Sequence, residues 1–295
     1  MKKQTSLYFF ILFIITFGCS TKEETNSTGT VKAGNLTIYY ERTGKGHPVV
    51  LLHAGLQDHT MWEEQVKALS KDYDVITPDL PYHGKSTGKD TAILASEVIK
   101  ILLDSLQLQK IAIAGLSMGA SIVQDFITAY PQRVTKVVLL STGINGYEKI
   151  QPVDSVSMAW YPPFEKALTE KDTAKAAAAF TKAWAEGVYR SKDSLGAPVS
   201  KYVYRTTLAN LHKHKMEGWP KLQNNPPVIE KIATVSLPVL IIDGDKDLPY
   251  ISVSSAHMAK AIKGSKRVVI KDVAHMLNME KPEEVNKLLI DFLKN

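Results

Sequence analysis

The chain has 295 residues, 36 Lys and Arg against 30 Asp and Glu for a net charge of +6, 44% hydrophobic residues and a single cysteine. Such a composition excludes a disordered or fibrous chain and leaves ample material for a core, while one cysteine excludes a disulfide framework and any all-cysteine metal site. The basic excess is spread along the chain without a Lys/Arg block, so nucleic acid is not an expected partner.

Lys2 and Lys3 precede an apolar run over 7–17 that ends at Gly18 and Cys19. A charged start followed by a run too short to span a bilayer comfortably reads as a signal peptide over residues 1–18. The arrangement resembles a bacterial lipoprotein signal, which is cut before a cysteine whose thiol then carries diacylglycerol. Thr16 and Phe17 stand where that motif usually has Leu and a small residue. The resemblance implies a lipid on Cys19, the membrane as a partner through that anchor, and an exported protein in the periplasm or at the cell surface. An ordinary secretory signal with an incidental cysteine is the alternative. Residues 19–34, largely polar and aperiodic, are expected to form a flexible tether.

From residue 35 short β-type runs alternate with helical patterns. Strands are expected at 36–41, 49–53, 75–77, 111–114 and 137–140, and helices at 61–69, 93–106 and 121–130. The alternation stops at 145, where helical patterns such as 173–184 and several prolines replace strands until 228. It resumes with strands at 239–242 and 267–270 and helices at 252–262 and after Pro282. The expected architecture is α/β, a mostly parallel sheet covered by helices on both faces. Its core would comprise 35–144 and 229–295, with a helical cap of 145–228 inserted over the end of the sheet where such folds bind ligands. Ten aromatic residues fall within that insert, and some of them are expected to line an apolar pocket.

Gly115-Leu116-Ser117-Met118-Gly119 follows one expected strand and opens a helix. Strand, G-x-S-x-G, helix is the signature of a nucleophile elbow, where small neighbours allow a sharp turn to lift the serine hydroxyl above the sheet. Such a hydroxyl needs a base to take its proton and an acid to orient that base. Asp243, Asp245 and Asp247 cluster at the end of the 239–242 strand, and His275 follows the 267–270 strand. Ser117, Asp247 and His275 stand in the required chain order, with Asp243 and Asp245 as competitors for the acid. His53 and His83 are expected to be hydrogen-bonding groups of their turns. His212 and His214 lack a third ligand nearby, so no metal is implied, and Gly84-Lys85-Ser86 lacks the earlier glycine of a phosphate-binding loop.

These motifs resemble the α/β-hydrolase fold superfamily, in its capped serine-hydrolase branch. Besides the elbow, Leu51-Leu52-His53-Ala54-Gly55 with Trp62 is similar to the family's oxyanion segment, and Pro78 to Ser86 to its Asp-x-x-Gly-His-Gly-x-Ser turn. Ala54 departs from the usual Gly, and Pro81-Tyr82 from Arg-Gly. The resemblance implies Ser117 as nucleophile, His275 as base, Asp247 as acid, and an oxyanion hole from the amides of Gly55 and Met118. It implies a small-molecule acyl substrate, an ester by default, with no cofactor. Lactone, C–C bond and peptide hydrolysis, acyl transfer to peroxide, and a non-catalytic lipid-anchored binding protein on the same scaffold are the alternatives; oligomeric state is left open.

Overall fold

The computed structural model describes residues 26–90, 92–190, 197–214, 218–223 and 225–295. The expected signal peptide and Cys19 lie outside them. Among the described residues no helix is long and apolar enough to cross a membrane.

Among the described residues there are nine strands: β1 Asn26–Ala33, β2 Leu36–Gly44, β3 His47–Leu52, β4 Tyr73–Pro78, β5 Thr87–Gly88, β6 Ile111–Leu116, β7 Val134–Leu140, β8 Val239–Gly244 and β9 Lys266–Ile270. They form one sheet in the order β1-β2-β4-β3-β6-β7-β8-β9, with β5 beside β2. The run from β4 to β9 is parallel, while β1 and β2 pair antiparallel at one edge. β6 and β8 are buried at every position, which is why they read as unbroken apolar runs rather than alternating ones. The pleat sorts their neighbours. Val49 and Leu51 face one half of the core, with Val285 and Leu289 of α10 (Pro282–Lys294). Val50 and Leu52 face the other, with Ile99 and Leu103 of α2 (Ala95–Ser105) and Val123 and Phe126 of α3 (Met118–Ala129).

The tether expectation fails where it can be examined. Residues 26–33 are β1, paired with β2 from Asn26↔Thr43 to Ala33↔Leu36, so the sheet begins at least nine residues before the expected boundary at 35. Two physical features explain the miss. An edge strand keeps most of its polar side chains in water, so only Val31 and Ala33 register as apolar and buried. The hairpin signal is Gly34-Asn35, a two-residue turn with Gly34 at φ +58°.

Between β7 and β8 the described residues form helices: α4 Ser155–Met158, α5 Tyr161–Thr169, α6 Thr173–Thr181, a π-helical turn Lys182–Glu186, and α7 Ala197–His214. No strand interrupts them among the described residues; a single bridge joins Leu94 to Lys221. α8 Pro249–Ala261 follows β8, and α9 Leu277–Glu280 follows β9.

Candidate active site

Ser117 sits between β6 and α3 with φ 55° and ψ −114°, a conformation that L-residues avoid because of Cβ crowding. The turn is held from below by the Ser117 amide, which donates to Leu140 O at 3.0 Å. Its two glycines are obligatory. A Cβ on Gly115 would lie 2.4 Å from the Gly119 carbonyl carbon, and one on Gly119 would lie 2.2 Å from Leu52 O. The G-x-S-x-G spacing is thus a packing requirement: α3 must start directly on top of β3.

Gly55 lies just beyond β3, where a Cβ would be 3.8 Å from Met118 Cβ. Neighbouring amides are engaged: Leu56 N–H donates to His83 Nε2 at 3.0 Å and Gln57 N–H to Ala54 O at 3.2 Å. Met118 is the first residue of α3, where an amide has no acceptor within its own helix. Gly55 and Met118 therefore adjoin at the positive end of a helix.

His53 and His83 pin this corner. Each donates from Nδ1 to a nearby carbonyl (Ala54 O and Pro81 O, both 2.8 Å) and accepts a backbone amide at Nε2, from Leu80 at 2.9 Å and Leu56 at 3.0 Å. Burial holds the pKa of both below the ordinary value, that of His83 at about 3. They are neutral linkers between the 53–57 and 79–86 turns.

The three candidate acids separate cleanly. Asp243 is held by Arg267 at 2.9 and 2.7 Å. Asp245 accepts the Asp272 amide at 2.7 Å. Asp247 alone meets His275, whose Nδ1 lies 3.0 and 2.9 Å from its two carboxylate oxygens. The acid and histidine loops can approach because Gly244 ends β8; a Cβ there would lie 2.3 Å from Val273 O. His275 is buried, and its Nε2 has no hydrogen-bond partner among the described residues. The ring of Trp184, from the π-helical turn, packs on it with centroids 4.3 Å apart.

Ser117, His275, Gly55 and Met118 line one cavity of about 410 Å³. The insert contributes Asn145, Trp160, Phe180, Trp184, Trp219 and Leu222, and the core adds Ser121, Tyr250 and Met276. Trp219 lies against Gly55, at 3.3 Å from where its Cβ would be. Among the described lining residues His275 is the one imidazole, and no carboxylate, lysine or arginine joins it. Sequence reasoning named the aromatics only as a group, and it missed Tyr250 and Asn145, whose signal is their place just after the ends of β8 and β7. His212 and His214 lie away from this cavity, with His212 Nε2 2.8 Å from Thr173 Oγ1.

The family model described as the alpha/beta hydrolase fold matches residues 47–282. The chain is 25% identical over 281 residues to the (E)-2-((N-methylformamido)methylene)succinate hydrolase of Acinetobacter baylyi, covering 89% of this chain and 96% of that protein. It is 24% identical over 254 residues to a carboxylesterase of Bacillus subtilis, covering 83% and 79%. Among solved structures, a bromoperoxidase from Bacillus anthracis superposes with a TM-score of 0.73 at 26% identity, over 92% of this chain and all of that one. With the sheet order, the elbow and these matches together, the chain belongs to the α/β-hydrolase fold family and is a hydrolase of that type.

Proposed function

We propose that the protein is a serine hydrolase that cleaves a carboxylic ester through an acyl-enzyme. The observation that carries this reading is His275: one ring nitrogen is bound to the Asp247 carboxylate, and the other is unpartnered beside a cavity that Ser117 shares. In this reading Nε2 takes the Ser117 proton as Oγ attacks the carbonyl carbon. Asp247 fixes the tautomer and steadies the imidazolium. The Gly55 and Met118 amides stabilise the oxyanion, each worth about 10²–10³-fold in rate. His275 returns the proton to the departing alcohol, then activates water to release the acid.

The insert 145–228 acts in this reading as a cap that keeps water from the cavity. We further propose that residues 1–18 are a cleaved signal and that a lipid on Cys19 tethers the enzyme outside the cytoplasm; Cys19→Ser would then release the protein from the membrane fraction, and retention there would sink the anchor. Likeness to a bromoperoxidase favours acyl transfer to peroxide as a second reading, distinguishable by peracid formation from excess carboxylic acid and peroxide.

The test is hydrolysis of p-nitrophenyl acyl esters by the purified protein beside Ser117→Ala. Turnover that vanishes in the variant is expected; turnover that persists at a comparable rate would remove Ser117 as nucleophile.

A further inference from the structure

A second cavity of about 320 Å³ lies beside the first, lined by Tyr147, Val153, Ser157, Met158, Trp160, Tyr161 and Tyr250. Trp160 and Tyr250 line both cavities, so these two rings are the partition between them. Both residues are half-buried. Trp160 stands edge-on to Trp184 with centroids 5.1 Å apart, and Tyr250 edge-on to Tyr147 at 5.9 Å. Tyr250 is the second residue of α8, and a Cβ on Gly143 would lie 2.9 Å from its ring.

The chemistry of the second cavity is apolar. Three of its four hydroxyls are already used within the protein: Ser157 Oγ donates to Asp154 at 2.6 Å and accepts the Tyr250 amide at 3.2 Å, Tyr147 OH accepts from Gln151 at 3.0 Å, and Tyr161 OH donates to Glu165 at 3.4 Å. No charged side chain lines it among the described residues. Its outer wall stays exposed nonetheless: the lining residues Val153, Met158 and Tyr161 are three of the eight large hydrophobics the described surface leaves most open, and Val156 of the same segment is a fourth. Apolar side chains around a hollow with no charged group on it present dispersion contacts and water to be displaced, and nothing to bind an ion.

We infer that this cavity is a subsite for the distal apolar part of an extended ester, which passes between Trp160 and Tyr250 while its carbonyl sits at Ser117. The inference rests on the serine-hydrolase reading for the placement of the carbonyl. The occupant is a hydrocarbon chain, from either the acyl or the alcohol half of the ester. The two cavities share Trp160 and Tyr250 as walls, so an occupant of the second lies next to a substrate in the first, and this adjacency argues for substrate here rather than a separate ligand. A lipid surface is the rival occupant of the exposed wall.

The test uses Met158→Glu and Val153→Glu, both at exposed positions that line only the second cavity. Wild type and variants are compared on p-nitrophenyl acetate and decanoate, and on decyl acetate. The ratio of kcat/KM for decanoate to that for acetate is expected to fall at least tenfold if the acyl half enters. The corresponding ratio for decyl acetate is expected to fall if the alcohol half enters. Unchanged ratios in both arms overturn the subsite, and variants that lose only association with phosphatidylglycerol vesicles assign the patch to the membrane and overturn it too. Binding of decanoate and of the uncharged 1-decanol to Ser117→Ala, with and without Met158→Glu, reads the subsite without turnover. A tenfold loss of affinity for 1-decanol supports it even if the hydrolase reading fails, and equal affinity for both probes overturns it.

Discussion

Arg190 is ion-paired with Glu280, and the same Glu280 accepts the amide of Ala274 at 3.0 Å, one residue before His275. Arg190 also donates to Asp272 O at 2.9 Å, so a residue of the helical insert grips the histidine loop at two points. The chain reaches this position over Gly187, whose Cβ would lie 2.9 Å from Ala274 Cβ. Both side chains of the pair are about nine-tenths buried, and burial raises the Glu280 pKa against the pull of Arg190. Removing one partner of such a pair strands the other charge, at roughly 3–5 kcal/mol. Arg190→Met is therefore expected to destabilise the protein by about 3 kcal/mol in urea unfolding and to lower kcat more than it raises KM. Glu280→Gln keeps an acceptor for Ala274 and is expected to be the milder change. Equal stability of Arg190→Met and wild type would show that the clasp contributes nothing.

The elbow makes two opposite stability predictions from one turn. Ser117 occupies φ 55° at a steric cost of about 1–3 kcal/mol, so Ser117→Gly is expected to stabilise the fold by about 1 kcal/mol while abolishing ester turnover. Gly119→Ala must push a methyl toward Leu52 O, 2.2 Å away, and is expected to destabilise by about 2–3 kcal/mol. Thermal unfolding of the two variants beside wild type decides it; a neutral Gly119→Ala would mean that α3 can slide off β3.

His83 predicts an acid-sensitive limb. Its pKa in the fold is about 3 because burial disfavours the charged ring, against an ordinary value of about 6.5. Between those values the unfolded chain holds more protons than the folded one, so stability falls as pH drops from about 6.5 toward 3. The loss could reach about 4 kcal/mol at the acid end. His83→Gln does not titrate. It is expected to be less stable than wild type at pH 7.5, where it loses a fitted link to Leu56, with the gap narrowing by pH 4.5. Parallel urea midpoints across that range would remove His83 as the origin of the limb.

The parallel strands, the elbow and the two loops after β8 and β9 were legible because each is a local pattern: an apolar run ending in glycine, acid or histidine. Choosing among Asp243, Asp245 and Asp247 was not local. It depends on Arg267 occupying the first and the Asp272 amide the second. β1 was illegible because an edge strand of serine, threonine and lysine looks like a tether until β2 is laid beside it. Which of the ten aromatics in the insert reach the cavity was equally hidden. Trp160, Phe180, Trp184 and Trp219 come from a helix start, a helix, a π-helical turn and a loop, so no single periodicity selects them. Arg190 and Glu280 lie 90 residues apart, and no motif joins them.

Asp125 carries the last prediction. It lies on α3, eight residues past Ser117, buried beside the strip that carries Trp219: its Oδ2 accepts the Gln223 amide at 2.7 Å, and its Oδ1 is buried without a partner among the described residues. Burial raises its pKa to about 6, with the Gln223 amide and Lys231 opposing. For an acid raised in this way the folded state holds more protons than the unfolded one between about pH 4 and pH 6. Stability therefore falls as pH rises through that window, opposite in sign to His83, by on the order of 2–3 kcal/mol. Asp125→Asn keeps an oxygen for Gln223 and removes the buried charge. It is expected to raise the unfolding midpoint at pH 7.5 by the equivalent of about 1 kcal/mol, with the advantage gone at pH 4.5, where the native carboxyl is already protonated. Because the Gln223 amide stays bonded, Trp219 keeps its place over Gly55, and ester turnover at pH 7.5 is expected to stay within about twofold of wild type. A variant less stable than wild type at both pH values would mean that the carboxylate is needed as an anion, with Lys231 as its counter-charge.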